Sequence, residues 1–202
     1  MIKRIVVGVL STNCYIIYDE ITKDAMVVDP GYEDDEIVNF INSENLTVKY
    51  IYLTHCHFDH MEGAEWLRLK TKAPIIGLNN EEENFKNVDI NLSKMITEHG
   101  FSINCDKLLF ENDEIEVGKY TFRVIHTPGH TSGSSCLYSE KILISGDTMF
   151  LETYGRVDLP TGNQNDIIKS IKNKLLLLPP ETVVYPGHGE ETTIQKFSEL
   201  EI

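Results

Sequence analysis

Basic residues are scarce in this chain. Its 202 residues contain 18 Lys and Arg against 32 Asp and Glu, which gives a formal net charge of −14 at pH 7. Nucleic-acid binding depends on local positive potential that displaces counterions, and the few basic residues here are scattered along the sequence. The composition therefore argues against a nucleic-acid partner.

Long apolar runs and closely spaced cysteines are also missing. No apolar stretch is long enough to span a bilayer, and the apolar residues near the start break at Gly8 without the small-residue cleavage site of a signal peptide. The four cysteines form no C-x-x-C pair, which fits the reduced thiols of a cytosolic protein. We expect a cytoplasmic protein without membrane contact that forms one domain over residues 1–202.

Short β-branched runs alternate with helical patterns along the chain. Strands are predicted at residues 5–7, 14–18, 25–28, 48–53, 74–78, 114–117, 120–125, 135–138, 141–144 and 182–185. Helices are predicted at residues 33–43, 60–72 and 165–178. Residues 79–106 are polar and mixed, and the pattern there assigns no clear element. The order of the elements favours a sheet-on-sheet core covered by helices.

Four of the predicted strands stop at polar motifs. YIYLT runs into HCHFDH, TFRVI into HTPGH, KILIS into GD, and TVVY into PGHG. In layered α/β proteins, functional residues gather in the loops that follow the carboxyl ends of strands. We therefore expect these four strand ends to converge on one site.

The HCHFDH motif has the spacing of metal ligands. His55 and His57 alternate, so in an extended segment both rings project to one side while Cys56 points away. Two neighbouring imidazoles form a natural half-site for a divalent metal such as zinc. Asp59 and His60 follow as the chain turns into a helix, where they can address a second ion. A run of surface histidines with Asp59 as a helix cap is the alternative, and the full H-x-H-x-D-H pattern argues against it.

The other three motifs each supply one candidate ligand. His130 follows a Pro-Gly turn that aims its ring back towards the strand end. Asp147 ends a strand so apolar that an unpaired buried carboxylate there would be costly, and sharing it between two cations would relieve the cost. His188 stands between two glycines, whose flexibility lets the backbone approach closely.

The candidate ligands sort into two sets joined by one carboxylate. The first ion would take His55, His57 and His130, the second would take Asp59, His60 and His188, and Asp147 would bridge them. Two such ions lower the pKa of a shared water towards about 7 and polarise an acyl oxygen. A metal-bound hydroxide then attacks a carbonyl carbon while the second ion stabilises the oxyanion. Asp59 accepts a hydrogen bond from that water and helps to move its proton. Two divalent ions are predicted, with zinc favoured and iron or manganese left open.

With these motifs in this order, the chain resembles the metallo-β-lactamase-fold superfamily, and most closely the small single-domain relatives of glyoxalase II (hydroxyacylglutathione hydrolase). The resemblance runs from Asn13 to about Thr193 and includes NCYIIYDE, VVDPG, HCHFDH, HTPGHTSGS, ISGDTMF, GRVDLPTGN and YPGHGEET. It implies an α/β fold, a four-layer αββα sandwich with metals at one edge between the two sheets. The seven residues above match the family's ligands one by one.

Two departures from the family bear on the substrate. Only residues 189–202 follow the last ligand, so we expect no counterpart of the C-terminal helical domain with which glyoxalase II enzymes bind glutathione. The bridging position is Asp147, where β-lactamases of this fold often have a cysteine, and this argues against an antibiotic hydrolase.

Substrate contacts are predicted in the GRVDLP loop. The resemblance implies that Arg156 faces substrate anions, as a basic residue of this loop does in similar hydrolases; the alternative is that it pairs with Asp158 to brace the loop. Tyr154 is expected to line the same pocket. Residues 79–106 form either a lid or a surface loop, in which His99 and Cys105 are expected to be exposed and not to bind metal.

The resemblance implies a thioester hydrolase that acts on a small molecule such as an S-acylglutathione. A mononuclear iron persulfide dioxygenase is the main alternative, because that branch shares the first-site histidines and the aspartate; it needs a redox metal with open coordination. Hydrolysis of another ester, a lactone or a phosphoester stays open. The acidic composition argues against a nuclease, and the complete ligand set argues against a protein without activity.

Overall fold

The computed structural model describes residues 1–200, and its first sheet is built from the first half of the chain. The strands lie side by side in sequence order: β1 (Ile2–Val7), β2 (Thr12–Tyr18), β3 (Asp24–Val28), β4 (Thr47–Leu53), β5 (Ile75–Leu78) and β6 (Lys107–Leu109). β1, β2 and β3 pair in antiparallel fashion. From β3 to β6 the pairing is parallel, so these strands end at the same edge of the sheet.

The second half of the chain forms the second sheet. Its strands also follow sequence order: β7 (Glu114–Val117), β8 (Tyr120–His126), β9 (Ser135–Ser139), β10 (Ile142–Gly146), β11 (Val183–Pro186) and β12 (Thr192–Thr193). Only β10 and β11 pair in parallel fashion among these described strands. β8, β10 and β11 therefore run in the same direction and end at one edge.

Six helices cover the sheets in the described part of the chain. They are α1 (Asp35–Ser43), α2 (Phe58–Met61), α3 (Ala64–Thr71), α4 (Glu82–Lys86), α5 (Gln164–Asn173) and α6 (Ile194–Ser198). The two longest begin at side-chain caps: Asp34 accepts a hydrogen bond from the backbone N–H of Glu36, and Asn163 from that of Asp166. No helix among residues 1–200 is long and apolar enough to cross a membrane.

Three separate apolar clusters show how the layers stack. The two faces of β2 divide between them: Ile16 packs with α1 and α3 in an outer cluster, while Ile17 packs with residues of the second sheet such as Phe122. A third cluster lies between the second sheet and α5, around Ile167 and Leu143. Three apolar interfaces separate four layers, so the predicted αββα sandwich is confirmed.

Several predicted boundaries are wrong for local reasons. The helix predicted at residues 60–72 is two helices, because residues 62–63 form a turn between them. Gly63 in this turn lies so close to the carbonyl oxygen of Tyr32 that a side chain at this position would clash with it. The helix predicted to reach residue 178 ends at Asn173, and a 3₁₀ turn over Leu175–Leu177 follows. β6, β12 and α6 are too short, at two to five residues, to leave a periodic pattern in the sequence.

Hydrogen bonds between the two sheets hold their strand ends together. The side chain of Asn13 and the hydroxyl of Tyr15, both on β2, donate to the carbonyl oxygen of Pro186 at 2.9 and 2.8 Å. Tyr52 on β4 shares a hydrogen bond of 2.7 Å with the hydroxyl of Ser135 on β9. These buried bonds fix the relative position of the loops that follow β4, β10 and β11.

The inter-sheet cluster should provide much of the fold's stability. Phe122 is fully buried there, so Phe122→Ala is expected to lower the free energy of unfolding by about 3–5 kcal/mol. Phe110 is 57% exposed, so Phe110→Ala should change it by less than about 0.5 kcal/mol. Urea unfolding of both variants measures the difference. Equal losses would contradict the assignment of Phe122 to the core.

Candidate metal centre

The structure brings all seven predicted ligand side chains together at one end of the sandwich. They form a cluster able to bind metal, in overlapping groups whose ligand atoms lie within 4.8 Å of one another. The groups are His55, His57 and His130; His55, His60 and Asp147; and Asp59, His60 and His188. Each side chain follows a strand end or belongs to α2, which starts where the loop after β4 turns. The predicted convergence of four strand ends is what the fold produces.

Three histidines of this cluster, His55, His57 and His130, are buried side by side. Nε2 of His130 lies 2.9 Å from Nδ1 of His57, and the ring of His55 has its centroid 4.8 Å from those of both neighbours. Burial, together with the neighbouring imidazoles, holds the pKa of His55 well below its usual range and lowers that of His57 to about 3. Neutral imidazole is the form that ligates a metal.

Several polar atoms of the cluster lack partners. Five buried side-chain polar atoms in residues 1–200 make no hydrogen bond, and three of them belong here: Nε2 of His55, Nε2 of His57 and Oδ1 of Asp147. Buried polar groups in folded proteins are normally satisfied, so such a concentration needs an explanation. A divalent cation accepts electron pairs from imidazole nitrogen and carboxylate oxygen, and the donor set fits that role.

The second group combines carboxylates with histidines. Oδ2 of Asp59 lies 3.5 Å from Nε2 of His60 and 3.3 Å from Nε2 of His188. Burial lowers the pKa of His60, but the carboxylates of Asp147, Asp59 and Asp29 outweigh it and raise that pKa to about 10. Burial likewise opposes ionisation of Asp59, yet the nearby His60 and His188 hold its pKa below its usual range. Negative charge at this end therefore attracts a cation.

Asp147 lies between the two groups. Its Oδ1 is 3.4 Å from Nε2 of His60, and its Oδ2 is 3.5 Å from Nε2 of His130 and 3.6 Å from Nε2 of His188. Gly187 packs so tightly against it that a Cβ atom would lie 2.2 Å from Oδ1. The position is that of a carboxylate shared by two sets of ligands.

Asp29 orients two of the candidate ligands, a role that the sequence motifs did not predict. Its Oδ2 accepts hydrogen bonds from Nδ1 of His60 at 2.9 Å and from the hydroxyl of Thr54 at 2.7 Å. That hydroxyl in turn accepts from Nδ1 of His55 at 3.1 Å. With Nδ1 donating in both histidines, Nε2 is left free to face the cluster. Asp29 occurs in the VVDPG motif, directly after the strand predicted at residues 25–28.

Glu81 is a second missed residue, and it joins two ligand loops. Its fully buried carboxylate accepts from the backbone N–H of Cys56 at 3.0 Å and from the hydroxyl of Thr131 at 2.6 Å, while Asn84 donates to the other oxygen at 2.6 Å. Cys56 lies between His55 and His57, and Thr131 follows His130. No signal in the polar segment 79–106 distinguishes Glu81 from its neighbours.

Of the two predicted substrate contacts, Arg156 lines the cavity beside the cluster and Tyr154 does not. Arg156 uses its guanidinium for a two-pronged ion pair with Asp158 at 2.8 and 2.7 Å. Its carbonyl oxygen accepts from Nδ1 of His130 at 2.8 Å. The placement of Tyr154 is corrected: the ring packs against the outer apolar cluster of the second sheet, and it is not among the residues that line the cavity.

The segment 79–106 is structured and contributes to this cavity. Leu92, Met95 and Ile96 line it. His99 is exposed as expected, whereas Cys105 is half-buried against the outer cluster of the first sheet, where burial raises the pKa of its thiol to about 12. The expectation that Cys105 is exposed is wrong, because the strand that follows it adds to the sheet edge.

Comparisons of the sequence with known proteins agree with this arrangement. The profile of the Metallo-beta-lactamase superfamily matches residues 7–188. The chain is 34% identical over 197 residues to the probable metallo-hydrolase YqgX of Bacillus subtilis (strain 168), covering 95% of this chain and 92% of that protein. It is 33% identical over 201 residues to the hydroxyacylglutathione hydrolase GloC of Haemophilus influenzae (strain ATCC 51907 / DSM 11121 / KW20 / Rd), covering 96% and 92%.

Solved structures show the same similarity in three dimensions. The crystal structure of the BLEG-1 B3 metallo-beta-lactamase superposes with a TM-score of 0.90 at 36% identity, covering 97% of this chain and 95% of that one. The crystal structure of TTHA1623 in a di-iron-bound form superposes with a TM-score of 0.83 at 27% identity, covering 98% of each chain.

Removing the negative charge of Asp29 should weaken metal binding. Asp29→Asn replaces an oxygen that accepts two hydrogen bonds, so His55 and His60 lose their common orienting partner, and metal affinity should fall about 10- to 100-fold. Chelator competition measures the affinity. The exposed Asp35→Asn removes the same charge from α1 and serves as control. Equal affinity in the two folded variants would rule out this role of Asp29.

Proposed function

Because the chain belongs to the metallo-β-lactamase superfamily, as its resemblance indicated, we propose that it is a metal-dependent hydrolase of small thioesters, such as S-acylglutathiones. The observation that carries this proposal is the cluster of seven histidine and aspartate side chains with three unsatisfied buried atoms. The cluster forms the floor of an open cavity of about 680 Å³, so a small molecule can reach it.

We propose two divalent ions, most simply zinc, at this cluster. His55, His57 and His130 would hold one, Asp59, His60 and His188 the other, and Asp147 would serve both. The similarity to a di-iron-bound structure keeps iron among the metals to be tested. Bound there, such ions supply an activated water and polarise the acyl oxygen of the substrate.

The residues of the chain prepare this chemistry before substrate arrives. The histidines that donate through Nδ1, to Asp29 or to the carbonyl oxygen of Arg156, are held in one tautomer with Nε2 towards the cluster. The hydroxyl of Thr12 donates to Oδ2 of Asp59 at 2.8 Å and fixes that carboxylate at the cavity. Asp59 is then positioned to accept a hydrogen bond from the attacking water and to receive its proton.

Similarity to GloC supports a thioester, and similarity to the BLEG-1 enzyme supports a second candidate, the opening of a β-lactam ring. Both reactions add water to an acyl carbon, so the cluster serves either. We place the thioester first because GloC carries the name of that activity and because the bridging position is Asp147, where β-lactamases of this fold often have a cysteine.

One set of assays separates these functions and the dioxygenase alternative. The purified protein is reconstituted with zinc or with iron, its metal is counted, and it is supplied with S-lactoylglutathione, a β-lactam, or glutathione persulfide in an oxygen electrode. Thioester cleavage with two metal equivalents is expected. Faster β-lactam cleavage would replace the proposal with the second candidate. Oxygen uptake with one iron would replace it with a dioxygenase.

Asp59→Asn should abolish most of the activity without unfolding the protein. The amide cannot receive the proton of the attacking water, so kcat is expected to fall about 10²- to 10⁴-fold at saturating metal. Kinetics at several metal concentrations separate this loss from weaker metal binding. Asp35→Asn again serves as control. A kcat within about twofold of the parent's at saturating metal would show that Asp59 takes no part in proton transfer.

A further inference from the structure

We propose, resting on the hydrolase function above, that the substrate carries an apolar acyl chain, which packs between residues 8–11 and residues 92–96. The first of these loops follows β1, and the second precedes β6. The first lies at the edge of the first sheet where its parallel strands end, and both line the cavity that contains the metal cluster. Three observations support this proposal: the apolar side chains that line the cavity, the hydrogen bonds that hold one of the loops, and the charged groups around the cavity.

The walls of the cavity present large apolar side chains to solvent. Val9 is 85% exposed, Leu10 51%, Met95 74% and Ile96 38%. They account for four of the eleven exposed large hydrophobic residues in the described part of the chain, although they come from two short loops. Single exposed apolar residues are ordinary, whereas a contiguous group beside a catalytic cluster marks a binding surface.

The apolar surface continues down to the metal cluster. Phe58, Leu92, Phe150 and Leu159 line the same cavity as the metal-ligand candidates. A side cavity of about 190 Å³ is lined by Val9 and Ile96 with Phe58 and Tyr32, and by the acidic residues Asp59 and Glu62. A substrate whose carbonyl lies at the cluster therefore has apolar walls on the side of the two loops, with room for a chain longer than acetyl.

The loop with Met95 and Ile96 is held in place. Asn91 and Ser93 are fully buried, and the side chain of Asn91 donates to the carbonyl oxygens of Phe85 and Phe101 at 3.2 and 2.9 Å. The carbonyl oxygen of Asn91 accepts from the backbone N–H of Phe58 at 2.9 Å, which ties the loop to α2. Between them Leu92 has φ +63°, a costly conformation for such a residue. The wall is therefore preformed.

Within residues 1–200, the walls of the cavity offer no free charged partner to an anionic acyl group. Among the described residues that line it, only Arg156 carries a permanent positive charge, and its guanidinium is already paired with Asp158. A polar or charged acyl group would lose its hydrogen bonds to water and would find no hydrogen-bond partner in these walls. An aliphatic chain has no hydrogen bonds to lose there, and the transfer of its apolar surface out of water is favourable.

Thioesters of one neutral thiol test the inference. Acetyl, D-lactoyl and hexanoyl thioesters of N-acetylcysteamine are compared with the zinc-loaded protein. Each methylene that leaves water is worth about fourfold in kcat/KM. We expect hexanoyl to exceed both acetyl and lactoyl by at least about tenfold, with part of the chain still in contact with solvent.

A double variant tests whether the two loops determine the preference for the longer acyl chain. Leu10→Gln combined with Met95→Gln makes both walls polar at exposed positions, so the hexanoyl-to-acetyl ratio of kcat/KM should fall several-fold, mainly through KM. Leu69 is 68% exposed on α3 and is not among the cavity-lining residues, so Leu69→Gln should leave the ratio unchanged. An unchanged ratio in the double variant would overturn the inference.

Other outcomes separate this inference from the proposed function. Acetyl or lactoyl thioesters cleaved as well as hexanoyl would refute the apolar acyl chain and leave the hydrolase intact. Cleavage of no thioester would refute the proposed function, and binding of hexanoate and acetate to the zinc-loaded protein would then test the cavity by calorimetry. Tighter binding of hexanoate that is lost in the double variant would support an apolar site. Equal affinities would overturn it.

Discussion

The structure depends on an electrostatic constraint at one end of the sandwich. Buried imidazoles and carboxylates lie there within hydrogen-bonding or near-contact distance of one another, and several of their atoms have no partner. Such a group is costly in a protein interior unless a cation joins it. The chain nevertheless has such residues after every strand end that reaches the site. Cation binding is therefore the simplest account of why these residues occur together.

The two sheets meet at this constraint from opposite sides. His55 and His57 follow a strand of the first sheet, whereas His130, Asp147 and His188 follow strands of the second. Neither sheet has a complete ligand set, so the hydrogen bonds from Asn13 and Tyr15 to the carbonyl oxygen of Pro186 matter for the site as well as for the fold. The inter-sheet core aligns the strands, and the buried polar bonds at their ends set the distances. Packing and site geometry are thus parts of one arrangement.

The sequence predicts that these seven side chains lie together, because residue type and spacing indicate where candidate metal ligands occur. H-x-H-x-D-H after an apolar strand places its donors by the geometry of a strand that turns into a helix. Asp29 and Glu81 escaped prediction, since their roles depend on partners that are distant in sequence: His60 for one, Thr131 for the other. Tyr154 was misplaced because proximity in sequence to Arg156 does not determine on which side of a loop a ring packs. Short edge elements such as β6 depend on a neighbouring strand and carry little periodicity of their own.

The proposed reaction and the proposed substrate choice depend on different parts of the chain. The candidate metal cluster is built from strand ends whose positions the two sheets fix, and in the proposed reaction it would serve any substrate with an electrophilic acyl carbon. The proposed walls come from residues 8–11, which join β1 to β2, and from residues 92–96, which lie between α4 and β6. The strained backbone of Leu92 and the buried amide of Asn91 keep one wall rigid, although its side chains remain exposed to solvent. A rigid apolar surface that stays in water is unfavourable for a protein on its own. It becomes favourable when a substrate covers it, so binding energy from the walls can hold the acyl carbon over the cluster.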